Sequence, residues 1–137
     1  MEIDLGGATC ILQHVGGDHA MDSIVVYYQE EKILFLADSI YPDIYTPKRT
    51  YRADRVLELL EAIDQFDAET YILSHWKPIS RAEYIEEAKL LKTLALMTKE
   101  QKGSFEDIKR AYQATLTREM NEDELETIHQ FVNGYNE

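Results

Sequence analysis

The stretch SIVVYYQEEKILFLADS, residues 23–39, decides the fold. SIVVYY (23–28) and ILFLAD (33–38) are short runs rich in β-branched and aromatic residues, too brief for helices. QEEK between them is a polar link of hairpin length, so the segment reads as two antiparallel strands. Asp38 closes the second apolar run, where an unpaired charge is costly. Immediately upstream, GGDHA (16–20) places His19 just before the first strand.

Working outward, Ile3 and Leu5 alternate before Gly6-Gly7, and ATCILQHV (8–15) has the composition of a strand. Downstream, a loop with Pro42 and Pro47 precedes a helix expected over residues 53–66, where Val56, Leu59, Leu60 and Ile63 form one apolar stripe. YILSHW (71–76) reads as a buried strand. Strand, helix and strand in that order predict a crossover within one sheet, a layered α/β arrangement of mixed β-sheet covered by helices. From Ser80 the pattern is helical. Ser80 with Glu83 makes a capping box, and Tyr84, Ala88, Leu91 and Ala95 continue one face. Gly103 ends that helix. Ser104 with Asp107 and Asn121 with Glu124 open two more, expected over 105–117 and 122–133. Residues 1–80 are thus expected to form the α/β unit, and 81–137 a helical extension packed on or beside it.

The 137 residues fit one domain, and 45% hydrophobic with 29% charged residues is the balance of a soluble globular chain. No apolar run approaches the length of a membrane helix, and no secretory signal pattern opens the chain. The single cysteine, Cys10, excludes an internal disulfide framework, suits a reducing cytoplasm, and reads as a small strand hydrophobe. A net charge of −12 repels phosphate backbones and anionic lipid, which argues against nucleic-acid and membrane partners.

His19 precedes a strand, while Asp38 and His75 each close one. In layered α/β sheets, ligands and catalytic groups gather at strand ends. Two imidazoles and a carboxylate suit zinc, iron or manganese. From the residues alone, the alternative stays open that Asp38 caps a turn and the histidines are ordinary loop or core residues. His14 reads as structural and His129 as a helix-face residue. Asp18 and Asp22 flank His19; each reads as a solvated turn acid, the alternative being that one accepts a hydrogen bond from the imidazole and orients it. Trp76 and Lys77 follow His75, and Tyr41, Tyr45 and Tyr51 surround the proline-bearing loop; these are candidates for a pocket wall or for plain packing.

HAMDS followed by IVVYYQEEKILFLADSIY resembles the stretch of the metallo-β-lactamase superfamily that runs His-Thr-x-Gly-Ser, strand, turn, strand, Gly-Asp. YILSHW resembles that family's later strand ending in Gly-His. The likeness covers about residues 1–80. It implies that His19, Asp38 and His75 are metal ligands, with Asp38 bridging two ions. It also implies a metal-dependent hydrolase, zinc being the commonest metal, acting on a small-molecule ester, amide or phosphoester. The departures are equally specific. The family's principal motif, His-x-His-x-Asp-His, is absent, and the four histidines include no His-x-His pair. The chain therefore resembles the second αββα half of that fold, with its N-terminal half missing. Asp22, Ala37 and Ser74 stand where the family commonly has glycine. A first metal taking three histidines keeps only His19, and a second keeps Asp38 and His75. The expectation is a chain that binds metal weakly and hydrolyses little alone, or a catalytically silent half-domain that pairs with its missing half or with itself.

Overall fold

A computed structural model describes residues 1–137. Six strands lie in sequence order in one mixed sheet: β1 (Glu2–Asp4), β2 (Thr9–His14), β3 (Ile24–Tyr28), β4 (Ile33–Ala37), β5 (Thr70–Leu73) and β6 (Ile79–Ser80). All neighbours are antiparallel except β4 and β5, which run parallel through the crossover helix α1 (Ala53–Ile63). Helices α2 (Arg81–Glu100), α3 (Phe105–Gln113) and α4 (Glu122–Tyr135) complete the α/β architecture.

The hairpin of β3 and β4 forms as its alternation predicts. Val25, Tyr27, Leu34 and Leu36 point to one face and are buried. Leu59 and Ile63 of α1 pack on that face with Leu73 and Tyr84. The opposite face bears Leu12, Val26, Phe35 and Ile72 in cross-strand register, one from each of β2 to β5. No helix covers this row, and Phe35 is 40% exposed.

The four α1 positions read as one stripe divide between two cores. Leu59 and Ile63 face the sheet, while Val56 and Leu60 join a second cluster with Leu91, Leu94, Ile108, Ile128 and Phe131. Fully burying side chains of this size contributes about 1.5–3 kcal/mol each. The helical extension is thus packed through α1 onto the same body as the sheet. Both expected capping boxes at Ser80 and Asn121 are made. Between α3 and α4, Glu124 accepts from Arg118 and from the Tyr112 hydroxyl, and the Arg118 guanidinium holds its carboxyl down at about 2.

Three sequence expectations are corrected, and one strand is added. The strand in YILSHW ends at Leu73: the Ser74 amide donates to the Ala37 carbonyl at 3.2 Å, β4 then leaves the sheet, and residues 74–76 have no strand to pair with. Helix α1 stops at Ile63 because the chain turns to bring Phe66 against Tyr27, with ring centroids 5.2 Å apart. Helix α3 ends at Gln113, whose side chain bonds the Arg118 carbonyl and the Met120 amide, and Ser104 makes no side-chain cap. The two-residue β6 was not anticipated; it pairs Ser80 with Thr70 at the sheet edge. No helix is long and apolar enough to cross a membrane.

Candidate metal centre

Topology alone brings three sequence positions to one edge of the sheet. The parallel pair β4 and β5 end at the same edge, and the antiparallel β3 begins there. Asp38 follows β4, His75 lies two residues beyond β5, and His19 sits in the loop entering β3. A bulge in β4 sharpens this. The register steps from Phe35↔Ile72 to Ala37↔Leu73, leaving Leu36 unpaired. Ala37 then takes φ 51°, a left-handed conformation that costs a residue with a Cβ about 1–2 kcal/mol. This is where the sequence carries Ala in place of the resemblance's glycine. The turn throws Asp38 out of the sheet plane toward the loop.

His19 is held from several sides. Its Nδ1 lies 3.2 Å from the Pro42 carbonyl oxygen, an acceptor only, so Nδ1 carries the proton and donates. In the neutral ring Nε2 is then left with its lone pair, and it faces Asp38 Oδ2 at 3.5 Å. The ring also lies beside Tyr45 and Tyr41, with centroids 5.8 and 6.4 Å away. Beneath it, Gly17 has φ +116°, and a Cβ there would stand 2.8 Å from the Ser39 carbonyl oxygen. Glycine is therefore what lets the His19 loop close against the Asp38 turn.

Asp18 is neither the solvated turn acid nor an orienting partner of the His19 ring. It is buried; its Oδ2 accepts from the Arg52 backbone amide at 2.9 Å, and Oδ1 lies 3.4 Å from the Arg52 guanidinium. Arg52 caps α1, so an acid from the His19 loop stands at that helix's positive end. Burial pushes the Asp18 carboxyl up from the usual carboxylate range even with Arg52 beside it. Arg52 also pairs with Glu137, and the Tyr51 amide donates to the Gln130 carbonyl of α4 at 3.0 Å. The helical extension thereby braces the segment that holds Asp18. The sequence separation of these contacts hides them from any local pattern.

His75 contrasts with His19. Its side chain is 76% exposed, its Nε2 lies 3.3 Å from Asp38 Oδ1, and its ring stacks on Tyr41 with centroids 5.9 Å apart. Asp38 Oδ1 is itself buried and accepts no well-aligned hydrogen bond, an orphaned anion position between the rings. Among the other candidates, His14 bonds the Met21 carbonyl at 2.7 Å, His129 stacks on Phe105, and Asp22 is exposed. Cys10 is a half-buried member of β2. Tyr41 and Tyr51 line a cleft with Trp76, which is itself largely exposed, as are Lys77 and Tyr45.

The two imidazoles address different oxygens of one carboxylate rather than a common point. No group of three or more His, Cys, Asp and Glu side chains is gathered so as to hold one ion. Each half offers one nitrogen and one oxygen, short of the three protein donors of a catalytic zinc. The orphaned Oδ1 and the fixed His19 tautomer suit cation binding, but the donor set by itself does not complete a metal site.

No family model and no curated protein matches the sequence. Solved structures do match the fold. A metallo-beta-lactamase from Pontibacter korlensis aligns with TM-score 0.51 at 20% identity, over 67% of this chain and 45% of its own. An archaeal metallo-beta-lactamase superfamily protein from Sulfolobus tokodaii aligns with TM-score 0.53 at 18% identity, over 99% of this chain and 49% of its own. A flavodiiron protein from Giardia intestinalis aligns with TM-score 0.54 at 17% identity, over 68% and 29%. The chain thus spans less than half the length of these structures and has part of the metallo-β-lactamase fold. The archaeal alignment extends over the helical extension, beyond the residues that carried the sequence resemblance.

Proposed function

We propose that this chain carries one half of a metal-dependent hydrolytic centre, with His19, Asp38 and His75 as its ligands. The observation that supports this best is the placement of each imidazole Nε2 within 3.5 Å of a separate oxygen of Asp38, while His19 Nδ1 is fixed by the Pro42 carbonyl. A carbonyl partner on the far nitrogen is the usual device for orienting a metal-binding imidazole. Zinc, or iron or manganese in its place, would lower the pKa of a water and stabilise charge developing on an ester, amide or phosphoester substrate. The chain's own part is to hold an imidazole on each side of the Asp38 carboxylate. The remaining donors would come from a further polypeptide segment, so the chain alone binds metal weakly and hydrolyses little.

Calorimetric titration with zinc tests this. The expected result is binding weaker than micromolar that His19→Ala and His75→Ala each reduce and that the double variant abolishes. A stoichiometric site tighter than micromolar overturns the half-centre reading, and residual binding indifferent to both substitutions overturns the ligand assignment.

A second reading, a self-associating half-domain without activity, draws on the uncovered row of Leu12, Val26, Phe35 and Ile72. Contiguous apolar surface on a sheet face favours association. Size-exclusion chromatography separates the two: a concentration-dependent dimer that Phe35→Glu returns to monomer supports pairing through this face, and a monomer at all concentrations overturns it.

A further inference from the structure

Beside the His75 ring lies a cleft of about 330 Å³ that the half-centre does not use. Its walls are Tyr41, Leu73, Trp76 and Ile79, with Ile40 and Tyr51 behind them. The Tyr51 hydroxyl is taken up by the Ile40 carbonyl at 2.7 Å, so the inner surface presents hydrocarbon and ring faces. Tyr41 is shared with the centre, since its ring stacks on His75. The cleft is the size of a small-molecule site and apolar like one.

Its charged groups are of one sign. Glu83 and Glu87 line it, and no lysine or arginine does. Glu83 is engaged, its Oε1 accepting from the amide and hydroxyl of Ser80 in the α2 cap. Glu87 lies one helical turn further along α2 and has no cation among the cleft residues. Its side chain opens to solvent through the mouth, yet the cleft walls, and then Asp123, push its carboxyl up from the usual range. A carboxylate at the mouth of an apolar, aromatic cleft is matched by an organic cation. The hydrocarbon body replaces water on the walls, the indole and phenol faces attract positive charge, and the carboxylate supplies the counter-charge. A bare hydrated metal ion gains nothing from such walls, and an anion meets two carboxylates. The net charge of −12 adds long-range attraction of the same sign.

We propose that this cleft binds a small hydrophobic ammonium compound, its body between Trp76 and Tyr41 and its charge against Glu87. That the bound compound is also the substrate rests on the half-centre reading; the binding itself does not.

Trp76 is the single tryptophan and lines the cleft with much of its ring exposed, so saturation of its fluorescence change reads binding at this wall. The metal-free chain is titrated with benzyltrimethylammonium, with neutral 3-phenylpropanol and with 3-phenylpropionate. The expected result is saturable change with the cation, weaker binding of the alcohol and weakest binding of the anion. Glu87→Gln is expected to raise the cation's Kd about tenfold, the size of one charge-assisted contact, and to leave the alcohol's unchanged. Added salt weakens the cation alone in the wild-type chain, a readout that does not depend on the variant folding. Equal Kd values for the three probes, or a cation Kd indifferent to both Glu87→Gln and salt, overturns the proposal. The zinc titration is run separately. Absence of saturable ammonium binding overturns the cleft assignment whatever zinc does, and tight zinc binding overturns the half-centre reading alone.

Discussion

The two histidines flanking Asp38 stand in opposite mechanical situations. The side chain of His19 is 14% exposed and rests on a loop whose every residue from Gly16 to Asp18 is buried. That loop is tied to the N-terminus of α1 through Asp18 and Arg52, and α4 braces the tie from behind. His75 hangs on an exposed turn, held by Asp38 and by stacking on Tyr41. One side of the centre is therefore built into the folding of the chain, and the other is placed on it after the fact. Substitutions should separate the two.

Gly17→Ala is expected to be the most damaging change. It forces a Cβ against the Ser39 carbonyl in a backbone conformation that L side chains rarely adopt, at a cost of about 3 kcal/mol in urea unfolding. On the other side, Ser74→Gly sits in the exposed turn and should leave the midpoint within about 0.5 kcal/mol. A comparable loss from both would abolish the contrast.

Asp18→Ala comes next, at about 2 kcal/mol, because it leaves the part-buried Arg52 amide without its acceptor and takes one carboxylate from a guanidinium that keeps Glu137. Asp18→Asn keeps an oxygen for the amide and should lose less than half of that. The pH dependence has a definite sign. Burial raises the folded-state pKa of Asp18 above 3.8, so the folded chain holds a proton that the unfolded chain has released. Stability from this residue falls as pH rises through that window, and Asp18→Asn should flatten the fall in thermal melts between acid and neutral pH.

The histidines themselves give the direct comparison. His19→Ala removes a part-buried ring and its bond to Pro42, an expected loss of about 1 kcal/mol, whereas His75→Ala should stay within about 0.5 kcal/mol. Each should remove part of the residual zinc binding, and the double variant all of it. Equal stability losses would show that the His75 turn is as firmly built as the His19 loop. One small effect is a gain: Ala37→Gly relieves the positive φ before Asp38, and should stabilise by roughly 0.5 kcal/mol in the same assay.

What the sequence showed and hid follows the range of the interactions. The hairpin of β3 and β4, the amphipathic α1 and the caps at Ser80 and Asn121 each depend on residues a few positions apart, and all form. The convergence of His19, Asp38 and His75 was legible because strand order puts their three strand ends on one edge. The burial of Asp18 has no local sign, because its partner lies 34 residues away in the sequence. The role of the extension was hidden for the same reason, since Arg52 meets Glu137 across 85 residues. YILSHW was read too long because its apolar composition continues where its pairing partner stops.

Helix α1 has a consequence for how the molecule comes apart. Two neighbouring faces of one short helix contribute to the two clusters: Leu59 and Ile63 to the sheet, Val56 and Leu60 to the helical bundle. Neither cluster can open without stripping the same eleven residues. Amides in the middle of α1 should then exchange with solvent as slowly as any in the chain, and at the same opening free energy as those of β4 and α2. The sheet and the extension would melt in a single cooperative transition, as one foldon.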